Sequence, residues 1–278
     1  MQKEKSSYLV KIPAGVFLLL IVFISVGPFL WVLSSSVKTN REILTFSLGF
    51  GGGVNWKNYA NAIRLAPIIQ YFKNSVFITF MGVLLNLTAM SMSAYVLARF
   101  EFRAKTLVRS LFAMGLLIPG AALLLPLYIS VKAAGLYNSM WGLIVVYTAF
   151  GIPTSVFIMS SYFLTIPKEM EESAYIDGAG FFKTYALIIL PLARPAFATA
   201  GIMQFLHCWN EFQFALTLTT GHEARTLPVA LYYFKSAFAS DYGAMFAAIV
   251  LVSLPSILVY ILLQKQIVSG LAAGSVKG

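Results

Sequence analysis

EESAYIDGAGFFKTYALIILPLARP, residues 171–195, lies between two apolar segments that are each long enough to cross a bilayer. A plain connection needs no acidic first turn, no Asp177-Gly178 break and no second amphipathic stretch closed by Pro191 and Pro195. The spacing predicts helix, break, helix. Pro167 can open the first helix, and Glu169, Glu171 and Glu172 fall in its first turns, where negative charge suits the dipole. Gly178 suits a left-handed position at which the chain reverses without a Cβ clash. Tyr175, Ile176, Phe181, Phe182, Tyr185, Ile188 and Ile189 are more apolar surface than solvated helices require, so part of it is buried against spans or a partner.

The alternative is an amphipathic helix lying on the inner leaflet. Glu169, Glu171, Glu172 and Asp177 oppose it, because carboxylates facing anionic lipid are disfavoured while carboxylates facing basic residues of a soluble subunit are not. The segment reads as a plug for a cytosolic partner.

Outward from this stretch the chain is dominated by apolar runs. Of 278 residues, 59% are hydrophobic and 11% charged, against roughly 25% charged in soluble domains, so the chain lacks the polar surface to cover itself. About 20 apolar residues span the roughly 30 Å hydrocarbon core, and only helices or closed barrels satisfy their backbone there. The runs are continuous, which favours helices. Six are expected near 12–34, 75–97, 107–131, 139–163, 197–219 and 243–263, in a single all-α integral membrane domain covering 1–278. The segment 164–196 is the cytoplasmic helix-turn-helix, and 264–278 is a cytoplasmic tail. Pro119 and Pro126 should kink the third span.

Twelve of the 20 Lys and Arg residues fall on the side of the termini and the 164–196 loop. The short loop after the second span is the most basic, with Arg99, Arg103, Lys105 and Arg109 against Glu101, and short loops weigh most in the positive-inside rule. Both termini are therefore expected in the cytoplasm of a multi-pass inner-membrane protein. The net charge of +10 sits beside apolar spans, where lipid headgroups account for it, and no nucleic-acid partner is read from it. The N-terminal run is too long for a cleaved leader and is expected to be retained.

Catalytic and metal constellations are absent from the pattern. Cys208 is the single cysteine, and His207 and His222 have no acidic partner at ligand spacing. Gly178-Ala-Gly-Phe-Phe-Lys-Thr imitates a phosphate-binding loop, but Phe182 stands where glycine is needed and no strand precedes it. The chain itself is expected to hydrolyse no ATP and to hold no cofactor.

In the fifth span, Trp209, Asn210 and Glu211 put an aromatic face, an amide and a carboxylate within one turn. Such a set can bind sugar, by stacking and hydrogen bonds, or can join helices; Asn86 in the second span is open to the same two readings.

Glu172-Ser173-Ala174-Tyr175-Ile176-Asp177-Gly178-Ala179, followed by Ile188-Ile189-Leu190-Pro191-Leu192 and Pro195, resembles the EAA motif of ABC importer permeases, with Ser173 a small-for-small departure. The stretch from Phe29 to Asn40, Asn74-Ser75, Ala94-Tyr-Val-Leu-Ala-Arg-Phe, Ile118-Pro-Gly, Ile166-Pro-Lys-Glu, Trp209-Asn-Glu-Phe and the tail from Gly270 are similar to maltose-type carbohydrate importer permeases, in particular to the shorter, six-helix partner of the pair. The resemblance implies a type I permease fold, a second related permease, two ATPase subunits that bind ATP and Mg, an extracytoplasmic solute-binding protein and a sugar substrate. It assigns ATPase coupling to Glu172, Ser173, Ala174, Asp177, Gly178 and Ala179. A self-contained secondary transporter or channel is the alternative from another class; the chain shows no evident internal repeat and one acidic group within a span.

Overall fold

The structure, a computed structural model, describes residues 2–47, 49, 51–236 and 241–275. The side chains of Lys3, Lys5, Lys11, Lys235 and Lys277, used in the charge tally, and residues 276–278 of the tail lie outside this description. Among the described residues the regular elements are all helical. Among those residues, four helices are long and apolar enough to cross a membrane, and two bent pairs raise the number to six if each pair is one span.

The chain falls into two compact units. The first joins Met1–Ile68 to Ala230–Ser253. Its helix α1, Gln2–Ser35, keeps Phe17, Leu19 and Phe23 largely exposed, as expected of a span whose partners are lipid or another chain. Beyond it, α2 (Asn40–Leu44) opens on a capping box between Thr39 and Glu42. Glu42 also accepts the Gly52 N–H at 2.8 Å, which fixes the run of glycines at 51–53. Helix α3 (Lys57–Leu65) comes next, and the buried Asn58 donates to the carbonyls of Ser36 and Lys38.

The second unit joins Ile69–Val229 to Leu254–Gly278. Helix α4, Ile68–Arg99, begins two turns before the expected second span. Helix α5 (Lys105–Leu117), a 3-10 turn (Gly120–Leu123) and α6 (Leu124–Ala133) replace the expected kinked third span with a 97° bend. The cause is local: Ile118 precedes Pro119 and is extended at φ −83, ψ 115, as the proline ring demands. Pro126 does not break the chain, because it sits in the first turn of α6, where its missing N–H would have had no helical partner. Helix α7 (Met140–Phe163) is the most buried of the candidate spans among the described residues.

The connecting segment forms α8 (Glu169–Ile176), α9 (Phe181–Thr184), a π-helical turn (Tyr185–Ile189) and α10 (Leu190–Leu192). Helix α11, Arg194–Asn210, then ends where the sequence predicts a continuous span to 219, and the chain restarts as α12, Gln213–Leu218. After a 3-10 turn (Leu227–Tyr232), α13 (Tyr233–Ser236) and α14 (Tyr242–Ser275) complete the order.

Among the described residues, two apolar clusters pack the second unit. Ile78, Leu143, Tyr147, Cys208, Phe214 and Leu218 pack α4, α7, α11 and α12 against one another. Tyr95, Met159, Phe163, Tyr185, Ile189 and Ala193 pack the 164–196 segment onto the ends of α4 and α7.

Candidate functional site: the 164–196 knuckle and the break after Asn210

Helix α8 ends in a Schellman motif. Gly178 sits at φ +79, its N–H donates to the Tyr175 carbonyl at 3.0 Å, and the Ala179 N–H donates to the Ala174 carbonyl at 2.9 Å. Both bonds require the left-handed residue that Gly178 supplies without a Cβ penalty. The chain thereby reverses into α9.

The knuckle is held from inside by α4. Arg99 and Tyr95 stand one turn apart on that helix, so they share a face. The Arg99 guanidinium contacts the Glu171 carboxylate and donates to the Ile166 carbonyl at 2.6 Å, while the Tyr95 hydroxyl donates to Glu171 at 3.1 Å. Around them Tyr95 meets the rings of Phe100, Phe163, Phe181 and Tyr185 at 5.2–5.8 Å, and Ser91 shares a 2.7 Å hydrogen bond with Tyr185. A buried charge is retained at low cost only with such a partner.

Contrary to expectation, Glu171 does not belong to the outward acidic face; it is 7% exposed and neutralised within the chain. Glu169, Glu172 and Asp177 are exposed. Of the residues assigned to ATPase coupling, Glu172, Ser173, Asp177 and Gly178 are exposed, Ala179 is half-buried, and Ala174 is buried on the Glu171 side of α8. The outer surface also carries Ile176, 86% exposed, and Phe182, 69% exposed. Tyr185 and Ile189 are instead buried, which divides the apolar residues between the chain's own core and open surface. Tyr95 and Arg99 escaped the sequence reading as anchors, although their helical i, i+4 spacing was visible.

The second candidate region is the break after α11. Glu211 is extended, at φ −69, ψ 127. Its carboxylate accepts the N–H groups of Phe214 at 2.7 Å and Ala215 at 3.0 Å, and the Tyr147 hydroxyl at 2.7 Å. The side chain thus satisfies first-turn donors that a continuous helix would have bonded internally, and that is why the span is interrupted. Asn210 is exposed; it donates to the Leu206 carbonyl and accepts from Ser256, both at 2.9 Å. Trp209 is buried, stacked on Phe205 at 5.5 Å and edge-on to Phe72 at 5.8 Å. Asn86 is fully buried, donating to the Thr148 carbonyl at 3.0 Å and accepting from Ser155. The structure therefore brings Asn210 and Glu211 to one break, turns Trp209 into a packed cluster, and places Asn86 between α4 and α7. The buried Gln204, which the sequence did not single out, donates to the Tyr147 carbonyl at 2.9 Å beside Gly151.

His207 stacks on Phe150 at 6.3 Å, and among the described residues no group of three His, Cys, Asp or Glu side chains could hold a metal.

Known proteins resemble this chain along nearly its whole length. The family profile described as binding-protein-dependent transport system inner membrane component matches residues 88–272. The chain is 36% identical over 271 residues to the probable ABC transporter permease protein YurM of Bacillus subtilis, covering 98% of this chain and 90% of that protein. It is 37% identical to the diacetylchitobiose uptake system permease protein NgcG of Streptomyces coelicolor, covering 91% of this chain and 84% of that one. It is 35% identical to the trehalose/maltose transport system permease protein MalG of Thermococcus litoralis, covering 94% of each. Its fold matches a chain in a crystal structure of a bacterial ABC transporter involved in import of the acidic polysaccharide alginate, with a TM-score of 0.80 over 94% of this chain and 97% of that one, at 23% identity. Helices long enough to span, a profile that covers the knuckle and the chain from residue 88 to 272, and relatives matched along nearly the whole chain agree: this protein is a multi-pass, all-α membrane protein belonging to the binding-protein-dependent transport system inner membrane component family.

Proposed function

We propose that the chain is one permease subunit of an ATP-powered carbohydrate importer, with the 164–196 knuckle as the part that receives force. The observation that carries this reading is the inward anchoring of Glu171 by Arg99 and Tyr95, which makes α8 an extension of α4 while its outer face stays open. Glu172, Ser173, Ile176, Asp177 and Phe182 supply acidic and apolar surface for a soluble ATPase, with Gly178 setting the reversal and Ala174 and Ala179 packing beneath. Closure of two ATPases on ATP and Mg moves the knuckles, and α4 carries that motion into the span. On this reading the loop and both termini lie in the cytoplasm.

A second, related permease completes the pathway, and an extracytoplasmic binding protein delivers the solute. Relatives named for diacetylchitobiose and trehalose/maltose support a sugar as cargo, and a neighbouring fold solved in complex with an alginate pentasaccharide-bound periplasmic protein supports a binding protein. Within the span, the exposed Asn210 and the half-buried Glu211 face the solute route, while Trp209 and Asn86 hold the wall behind it.

The test is crosslinking from Ser173→Cys and Ala179→Cys, combined with uptake of a panel of oligosaccharides in membranes that hold the copurifying subunits. Capture of an ATP-hydrolysing subunit and ATP-dependent uptake of a sugar are expected. Uptake by the chain alone, without ATP, would overturn the reading.

A further inference from the structure

Met203, His207 and Asn210 fall at i, i+4 and i+7 of α11, on one face, and all three are exposed. The small residues of the same helix are used inside the chain: Ala196 and Ala200 are buried, and Gly201 meets Leu87 and Val83 of α4. Helices that pair closely in a membrane put small residues at the contact. The open face of α11 carries large and polar ones instead, which suits a wet route better than a packed helix.

Counted from Arg194, whose charge belongs at the interface, His207 and Asn210 stand about 20 and 24 Å along α11, within the roughly 30 Å hydrocarbon core. The His207 ring is braced by Phe150, stacked at 6.3 Å, and by Tyr147, edge-on at 6.3 Å. Among the described residues neither of its nitrogens forms a hydrogen bond, and the exposed side-chain amide of Gln213, just past the break, forms none either. Asn210 differs, being engaged by Leu206 and Ser256. Polar groups left open at that depth are costly in lipid, so this face meets water and what water carries.

The charge of the face narrows the cargo. Across 75–97, 111–131, 139–163 and 197–219, Glu211 is the sole Asp, Glu, Lys or Arg. Its carboxylate is satisfied by two N–H groups and a hydroxyl, none of them a cation, so its charge stays on the face. An anionic sugar would be repelled there, and an ammonium would be held too firmly to pass on. An uncharged saccharide avoids both, and its hydroxyls donate and accept as an imidazole and an amide do. We infer that the His207–Gln213 face is a contact site for an uncharged saccharide, with His207 reading its hydroxyls. The inference rests on the permease reading for the route.

Cysteine accessibility and uptake, measured at pH 7.5 in membranes holding the chain with its copurifying subunits, test the site; an ordinary imidazole is mostly uncharged at that pH. In a Cys208→Ser background, His207→Cys should react with water-soluble methanethiosulfonates and Ala200→Cys should not. The cationic reagent should outpace the anionic one on the order of tenfold beyond their ratio on free cysteine, the effect of one nearby negative charge. Maltose, trehalose or diacetylchitobiose should slow the reaction, while digalacturonate and a glucosamine disaccharide should not. In uptake, His207→Ala should raise the KM for the protecting sugar up to about tenfold, the size of one hydrogen bond, with a smaller effect on the maximal rate. His207→Gln, which keeps a donor and an acceptor, should raise it less. An unreactive His207→Cys, equal protection by digalacturonate or the amino sugar, or protection by no uncharged sugar would overturn the inference. A crosslink from His207→Cys to another membrane subunit, unaffected by sugar, would also overturn it, because a helix would then cover the face. Sugar protection without any ATP-dependent uptake would count against the permease reading and leave the contact site in place.

Discussion

The guanidinium of Arg99, the last residue of α4, touches the carboxylate of Glu171, in the first turn of α8, with both side chains at or below 10% exposure. Breaking a buried pair from one side strands the other charge, at a cost of about 3–5 kcal/mol. Arg99→Ala should therefore lower the melting temperature of the purified chain and abolish coupled uptake. The double variant Arg99→Leu/Glu171→Leu should recover much of the stability, because it removes both charges at once. A double-mutant cycle on thermal unfolding in detergent checks this.

Gly178 holds the Schellman reversal at φ +79 with open space around its Cα. Gly178→Val forces a β-branched side chain into the left-handed region, costing about 1–2 kcal/mol. Membrane insertion should be normal while uptake and crosslinking from Ser173→Cys fall together. Gly178→Asn, which tolerates this conformation better, should be closer to the parent. Unchanged uptake in the Val variant would count against the knuckle geometry.

Glu211 accepts three hydrogen bonds, two from the first-turn N–H groups of α12 and one from the Tyr147 hydroxyl. Glu211→Gln turns one acceptor into a donor facing N–H groups, and should destabilise the α11–α12 junction by about 1–3 kcal/mol. Tyr147→Phe should cost less, since it removes one bond and leaves the backbone donors satisfied. Uptake of all sugars should fall in parallel in Glu211→Gln. A change confined to one sugar would show that the carboxylate reads the solute directly.

Gly151 lets the buried Gln204 headgroup cross the face of α7; a Cβ there would stand 1.8 Å from its Oε1 and 2.5 Å from its Cδ. Gly151→Ala should destabilise the α7–α11 contact by about 1–3 kcal/mol. Gln204→Ala placed in the same chain should relieve part of that loss, measurable by the same unfolding assay.

Glu42 lies outside the spans, and its pKa is lowered from 4.5 to about 2, first by the Gly52 N–H and then by the Thr39 backbone and hydroxyl. Because the folded value is depressed, the stabilisation is fully present above the unfolded pKa and is lost as pH falls from about 4.5 through about 2. Exchange protection of the Gly52 amide should track that window. In Glu42→Gln the dependence on pH should disappear.

The apolar runs, the acidic opening of α8, the break at Gly178 and the weak point at Pro119 were all legible in the sequence, because each depends on local spacing, ring geometry or bilayer thickness. The family was legible too, from motifs spread along nearly the whole chain. The severity of the bend was not: Ile118-Pro119 reads as a kink, yet the chain turns by 97° there, since the angle depends on how α5 and α6 pack once the helix is broken. Gly52 likewise carries no local signal of the bond its N–H makes to Glu42, 10 residues before it.

What the sequence alone determined is that this chain spans a membrane as helices and carries a glycine-hinged knuckle between two of its spans. Tertiary structure decided which way each polar group points. Glu171 and Glu172 are neighbours of the same type, yet one is neutralised inside by Arg99 and the other is left outside. A carboxylate's environment is set by the cation or N–H that folding brings within about 4 Å, where the interaction is strong enough to decide its place, and no local pattern encodes a partner that far along the chain.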